Sequence, residues 1–426
     1  MRCELTPATQ SISGTVEIAG SKYVANRAIM LAALGDGESL LEGIPHNEDI
    51  MTAIEAWQQL GASLRRDSNN LLVDGVKGKL NPSQETIYTS ASGTFSRFIV
   101  PTLAISNHEF RVSGNNKMNT RPMGDIVNAL CDMGVVIKAT ENRLPLTIRG
   151  PVQDNIVTIP GNVSSQYISG LLIAAPYMPN GLKLTVTGER VSSNYIDMTI
   201  DLMNHWGVVV EGTSEGWSVA SGQQYKAKNL TIEADPVSAS YAMAIAGITG
   251  GEITIPRFNV DSLQGEAQFP KVLEKMGCLI KNSPQGLVIK GPHQLKALSE
   301  IDLKNMPDVG QTLAVLAVYA QGKTKITGIS HLRFKESDRI ADTCQELQKL
   351  GVEAVYDEDS MTITGGDVLP GMVETHDDHR MAMSLSLLGL KTQGIVINDA
   401  EVVGKSFPKY WTMLENLGIS VIQNQK

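Results

Sequence analysis

Apolar positions recur in one order six times along the chain. An amphipathic segment ends in a glycine and a β-rich stretch follows: QLGASL, DMGVVI, HWGVVV, KMGCLI, KLGVEA and NLGISV. The glycines are Gly61, Gly134, Gly207, Gly277, Gly351 and Gly418, spaced 73, 73, 70, 74 and 67 residues apart. Eleven, seven and four residues upstream, five of the six copies are apolar. These are Ile50/Ile54/Trp57, Met123/Val127/Leu130, Ile196/Ile200/Met203, Ile340/Cys344/Leu347 and Phe407/Trp411/Leu414. That stripe predicts a surface helix, and the glycine predicts its left-handed cap. The fourth copy carries Glu266 and Pro270 instead, so its helix is expected to start late, at Pro270.

Each copy also contains a second segment that is apolar nearly all round, for example VANRAIMLAAL, VSASYAMAIAGI and DVGQTLAVLAVYA. A helix of that composition is buried. Turn-and-strand segments such as GKTKITGI follow. The repeat therefore reads as strands with one buried and one surface helix. At about 70 residues it is too large for a solenoid repeat. Six copies predict an α/β chain of two domains, each of three repeats, with buried helices inside and sheets outside.

Bulk composition narrows the function. A hydrophobic content of 42% and a charged content of 19% describe an ordinary globular protein. A net charge of −9 argues against nucleic acid or an anionic membrane as partner. Cys3, Cys131, Cys278 and Cys344 form no CxxC pair, the first ten residues hold no apolar signal core, and no apolar run approaches transmembrane length. The expectation is a reduced, cytoplasmic protein.

An anionic ligand must then find its cations gathered locally. They are gathered at His331–Ile340, where Arg333, Lys335, Glu336, Asp338 and Arg339 precede an amphipathic helix. Unpaired N–H groups and the helix dipole favour an anion there, and Glu336 among cations is a candidate acid/base. One such stretch alone would read as a solvated cap with ion pairs, but the arrangement recurs. Arg121, Ser192, Lys335, Glu336, Arg339 and Lys405 all stand at the entry to a surface helix. Lys22, Arg27, Gly93, Arg97, Ser164, Ser165, Gln166, Asp308 and Arg380 stand near the start of buried ones. If the helices of a domain run parallel, these ends share a face suited to a substrate with several carboxylates or phosphates.

Nine motifs in this register carry a family resemblance. They are Gly20-Ser21-Lys22 with Asn26-Arg27, Gly93-Thr94 with Arg97, Arg121-Pro122, Val163-Ser164-Ser165-Gln166, Val191-Ser192, Pro307-Asp308, Lys335-Glu336-Ser337-Asp338-Arg339, Asp378-His379-Arg380-Met381-Ala382-Met383 and Lys405-Ser406-Phe407-Pro408. Over its whole length the chain resembles the enolpyruvyl transferase family, most closely the branch acting on shikimate 3-phosphate. The resemblance implies two inside-out domains of three βαβαββ repeats, one spanning 21–234 and the other 1–20 plus 235–426. It implies a ligand cleft between them, closing over substrate. It also implies transfer of the enolpyruvyl group of phosphoenolpyruvate to the 5-hydroxyl of shikimate 3-phosphate, with loss of phosphate. No cofactor, metal, nucleic acid or membrane is implied, and the protein is expected to be a monomer.

The same resemblance assigns roles. Asp308 is the base at the 5-hydroxyl, and Glu336 and Lys22 are the acid/base pair at the enol carbon. Lys22, Gly93, Arg121, Gln166, Arg339, Arg380 and Lys405 bind phosphoenolpyruvate. Lys22, Arg27, Ser164, Ser165, Gln166, Ser192, Asp308 and Lys335 bind shikimate 3-phosphate. The chain departs from the family pattern at Tyr23, Ala91, Ser92, Phe95, Ser96, Phe98 and His331, all of which concern the acceptor or the pocket shape. A paralogue acting on another cyclic alcohol is the main alternative. The related UDP-N-acetylglucosamine transferase is disfavoured, because Tyr23 follows Lys22 and the loop 111–121 has no cysteine. A binding protein without activity would not need Lys22, Asp308 and Glu336. His376-Asp377-Asp378-His379 has metal-like composition, but no distant third ligand is evident and Arg380 beside it favours an anion.

Overall fold

The computed structural model describes residues 1–188 and 193–424. It divides into two compact units, Gly20–Ile232 and Met1–Ala19 with Glu233–Lys426. Each has its own apolar core.

The unit Gly20–Ile232 contains helices α1 (Lys22–Leu34), α2 (Glu48–Gln59), α3 (Gly93–Leu103), the short α4 (Asn116–Thr120), α5 (Gly124–Asp132), α6 (Ser165–Ala174) and α7 (Asn194–His205). Helices α1, α3 and α6 are buried almost throughout, as their apolar circumference dictates. Helices α2, α5 and α7 bury one stripe each. The second unit repeats the plan with buried α8 (Pro236–Thr249), surface α9 (Phe269–Lys275), buried α10 (Gly310–Val318), surface α11 (Arg339–Lys349), buried α12 (His379–Ser386) and surface α13 (Tyr410–Asn416).

The six repeat glycines all adopt the left-handed conformation, with φ from 78° to 102°. The fourth surface helix begins at Phe269, one residue before the proline expected to open it, after a 3₁₀ turn over Gly265–Gln268. The sixth begins only at Tyr410, although Phe407 keeps the repeat register. A 3₁₀ segment over Ala400–Lys405 takes up the chain before it.

Among the described residues, six four-stranded sheets share one topology, a parallel pair followed by two antiparallel pairings, beside one two-stranded sheet. In the second repeat the order is Thr86–Tyr88, Glu109–Ser113, Leu146–Arg149, Val136–Ala139. Three sheets are completed by remote chain. Leu230–Thr231 pairs with Glu38–Glu42 of the first repeat, and Gly14–Thr15 pairs with Glu252–Ile255 of the fourth. Arg2–Leu5 is inserted between Ile395–Ile397 and Val421–Asn424 of the sixth. The repeat is thus closed by segments far away in sequence, and the chain passes between the units near residues 19–20 and 232–233.

Candidate active site

The buried helices present their N-termini differently in the two units. In Gly20–Ile232 each is capped by a serine. Ser21 accepts from Val24 N, Ser92 from Phe95 N and Ser164 from Gln166 N, each at 3.3 Å. A serine cap satisfies one N–H without adding charge, so the positive helix end stays uncompensated. Beside these ends stand Lys22, Gly93, Ser164, Ser165, Gln166 and Arg121. Lys22 opens α1 and donates to Asp49 Oδ2 at 3.3 Å. Gln166 accepts from Arg97 at 2.6 Å and donates to Thr94 at 2.9 Å, which ties the start of α6 to the start of α3. Arg97 lies over the Tyr167 ring, 5.1 Å from its centroid.

Gly93 is small because of Arg121. A Cβ at position 93 would lie 2.6 Å from Arg121 Nη1 and 2.9 Å from Cζ. The Arg121 Nε is buried without a partner among the described residues, so this guanidinium retains donor capacity. Ser164 is half-buried and Ser165 buried. Ser192 lies outside the described residues.

Arg27 is placed differently from the others, with only 1% of its surface exposed. It donates from Nε to Thr199 Oγ1 (2.7 Å), from Nη1 to Tyr23 O (2.9 Å) and from Nη2 to Tyr195 O (3.0 Å). The guanidinium lies 5.1 Å from the Phe98 ring and 5.7 Å from that of Tyr195. Burial lowers its pKa to about 10, against the opposing pull of Tyr195 and Tyr23.

In the other unit two of the three buried helices have acidic caps, Asp235 on α8 and Asp378 on α12, while α10 follows Val309 and has no side-chain cap. The cations there are side chains. Arg339 opens α11 and is its hub. It donates from Nε to Asp378 Oδ2 (2.7 Å), from Nη1 to Asp308 Oδ1 (3.1 Å) and from Nη2 to Glu336 Oε2 (2.8 Å). Arg380 donates to the other oxygen of Asp308 at 3.0 Å, and Lys405 to the other oxygen of Glu336 at 2.6 Å. Lys335 lies 3.9 Å from Asp308. Burial disfavours the charge on Arg339, but Asp378, Glu336 and Asp308 outweigh it and its pKa rises. All six predicted residues of this unit therefore meet in one network. It holds four cations and, counting Asp378, three carboxylates.

Asp378 is the residue whose role the sequence did not disclose. It is fully buried, clamps Arg339 through two nitrogens and accepts the Arg380 N–H at 2.9 Å, so it aims both arginines. The sequence offered it as the first residue of the Asp378–Met383 motif and as part of a metal-like cluster, and neither signal says that its carboxylate aims two arginines. Asp49 was missed because it stands in the first turn of α2 behind the Asn47 cap, where an acidic residue is ordinary. Its Oδ1 is buried without a partner among the described residues, while Oδ2 holds Lys22. His331 is half-buried close to this network, and its Nε2 has no partner among the described residues. Burial, then Lys335, lowers its pKa to about 4 against Asp308 and Asp359.

Two guanidinium groups and two ammonium groups in one place can hold a phosphate or carboxylate through charge-assisted bonds. Two carboxylates on the same guanidinium can move protons. Among the described residues, no group of three or more His, Cys, Asp or Glu gathers as a metal ion would need.

Comparison with known proteins agrees with this chemistry. The family described as EPSP synthase (3-phosphoshikimate 1-carboxyvinyltransferase) matches residues 7–414. A 3-phosphoshikimate 1-carboxyvinyltransferase of Nostoc sp. is 37% identical, covering 94% of this chain and 96% of its own. The protein named 3-phosphoshikimate 1-carboxyvinyltransferase 2 of Halalkalibacterium halodurans is 35% identical, over 98% and 95%. The solved EPSP synthase of Acinetobacter baumannii superposes with a TM-score of 0.84 at 27% identity, over 99% of this chain and all of that one. The enolpyruvyl transferase NikO of Streptomyces tendae shares the fold, with a TM-score of 0.79 at 17% identity, covering 100% of this chain and 99% of that one.

Proposed function

The chain belongs to the EPSP synthase family and transfers the enolpyruvyl group of phosphoenolpyruvate to shikimate 3-phosphate, and from that premise we propose how its residues divide the work. Arg121, Arg339, Arg380 and Lys405, with Gly93, Gln166 and Lys22, bind phosphoenolpyruvate. Ser164, Ser165, Ser192, Gln166, Lys22 and Lys335 bind the phosphorylated acceptor, and Asp308 faces its 5-hydroxyl. Arg27 serves the acceptor carboxylate, with three of its five N–H groups already donated within the protein. The protein works as a cytoplasmic monomer.

The enol carbon of phosphoenolpyruvate is not electrophilic until its CH₂ carbon gains a proton. Glu336, with Lys22, supplies that proton. Asp308 takes the proton of the acceptor hydroxyl as its oxygen bonds to the enol carbon. In the tetrahedral adduct the methyl carbon then returns its proton to Glu336 and the carbon–oxygen bond to phosphate breaks, the departing phosphate taking up the proton that Asp308 removed from the hydroxyl. The cations stabilise the charge that gathers on the leaving group.

One observation carries this reading. The proposed base and the proposed acid hydrogen-bond to the two terminal nitrogens of one guanidinium, that of Arg339. A substrate phosphate arriving there competes with Asp308 and Glu336 for the same N–H groups. As it wins them, each carboxylate gives up one of its cation partners, which shifts both toward proton transfer.

Phosphate release from phosphoenolpyruvate, with and without shikimate 3-phosphate, tests the function. Release is expected only with both substrates, together with a product heavier than the acceptor by one enolpyruvyl group. Release that ignores the acceptor, or occurs only with a different cyclic alcohol, would refute it.

A further inference from the structure

One polar cluster lies outside the groups used above and is built against the same helix. Arg339 and Glu346 stand two turns apart on α11, and their side chains are almost fully buried. The segment Glu374–Asp378 is bound to both. Glu346 Oε2 accepts the Glu374 N–H at 3.1 Å, and Glu346 Oε1 lies 2.7 Å from His376 Nε2. Asp378 then receives Arg339. Asn398 donates to Glu374 at 2.8 Å and steadies the start of the segment.

Between the two anchors the backbone is strained. His376 and Asp377 both have left-handed φ, 50° and 55°, which side-chain-bearing residues rarely adopt. Strain of this kind persists only where the surroundings over-determine it. The turn is closed by the Asp378 N–H donating to Thr375 O at 2.8 Å, and the imidazole ties it to α11. Its Nε2 is on Glu346, and its Nδ1 is 3.7 Å from Asp342.

Charge compensation does not explain the pairing. Lys349 already donates to Glu346 at 2.6 Å, so the carboxylate keeps a cation and a backbone donor without His376. What the imidazole adds is a lateral tie to the turn.

We propose that His376 is a positioning residue: tied to Glu346, it fixes the left-handed turn that delivers Asp378 to Arg339 and to the Arg380 amide. The inference rests on the assignment of Arg339 and Arg380 to phosphoenolpyruvate. It acts through Asp378, so the loss falls on the affinity for that substrate and spares the acceptor.

The test compares three variants of the full chain. In His376→Ala and His376→Gly the KM for phosphoenolpyruvate is expected to rise about ten-fold, because a small misplacement of a binding group is costly. The KM for shikimate 3-phosphate should stay within about two-fold. His376→Gln carries an amide nitrogen able to reach Glu346 and should recover most of the loss. His376→Gly relaxes the backbone but removes the tie, so recovery in that variant would show that only the backbone mattered and overturn the proposal. Parental values in both Ala and Gly variants, or an equal loss for both substrates with no rescue by Gln, would also overturn it. The parent protein separates the two levels of the argument. If it shows no acceptor-dependent phosphate release, the functional reading fails. The tie is still judged by the thermal shift that inorganic phosphate gives the parent but should not give the Ala variant, and an equal shift in both refutes it.

Discussion

Gly93→Ala isolates the contact between the start of α3 and the Arg121 guanidinium. The new Cβ would lie 2.6 Å from Nη1 and 2.9 Å from Cζ. Ordinary contact begins near 3.4 Å, so the guanidinium must retreat by about 0.8 Å. It is the far end of a flexible side chain, and its Nε is held by nothing among the described residues, so the retreat costs the fold little. For a ligand-binding cation the same displacement matters, since misplacement by about 1 Å can cost on the order of a hundred-fold. The KM for phosphoenolpyruvate is therefore expected to rise by about ten- to a hundred-fold, while Tm moves by no more than about 3 °C, as for a cost below about 1 kcal/mol. Phosphate release measured against phosphoenolpyruvate at saturating acceptor, with a melting curve on the same preparation, reads both. An unchanged KM with an unchanged Tm would remove Arg121 from the binding of this substrate. A large fall in Tm would show that backbone, not the guanidinium, absorbed the methyl group.

Glu336→Gln should lower turnover by about a hundred-fold or more while leaving both KM values within a few-fold, because it removes proton transfer at nearly constant volume; turnover near the parental rate would take Glu336 out of the chemistry. His331 gives a pH signature. Its pKa in the fold is about 4, against 6.5 for an unperturbed histidine, so the unfolded chain binds the proton first. The stability that His331 contributes is present above pH 6.5 and is lost as pH falls toward 4, by at most about 3 kcal/mol. Urea midpoints of the parent should fall more steeply over that window than those of His331→Asn; parallel curves would contradict the environment described here. Phe95 and Phe98 are both fully buried in α3, and Phe98 packs on Arg27. In the family this chain resembles, glyphosate occupies the phosphoenolpyruvate site, and two buried rings beside Gly93 at the start of α3 crowd that site; weaker inhibition than in sensitive relatives is expected, with Phe95→Leu and Phe98→Leu restoring sensitivity, and an inhibition constant that does not respond to either change would place the cause elsewhere.

Local features of the fold were legible because they are recorded locally. Apolar circumference marked the six buried helices, and a three-position stripe marked the surface ones. A glycine marked each left-handed cap, since no side chain is tolerated well there. The chemistry-bearing types were legible too: lysines, arginines and lone carboxylates at helix starts, where an anion is favoured. Helix boundaries were less so. The sixth surface helix kept its apolar register through Phe407 but begins only at Tyr410, because periodicity reports which face is buried and not where the hydrogen bonds start.

Other features belong to the tertiary structure alone. No local pattern says that Arg2–Leu5 pairs with strands some four hundred residues later, or that Leu230–Thr231 completes the first sheet. Those pairings are set by which edge is left open once everything else has packed. The same holds for partners. Sequence placed Arg27 and Arg339 alike, each near a helix start. The fold surrounds Arg27 with carbonyls, a hydroxyl and aromatic rings, and surrounds Arg339 with three carboxylates. Asp378 could be read as a cap, but that it also aims Arg339 requires α11 and α12 to meet. A sequence states what a side chain can bond to. Which bond it makes is decided by the groups that folding brings within about 3 Å of it, because hydrogen bonds and close ion pairs reach no further.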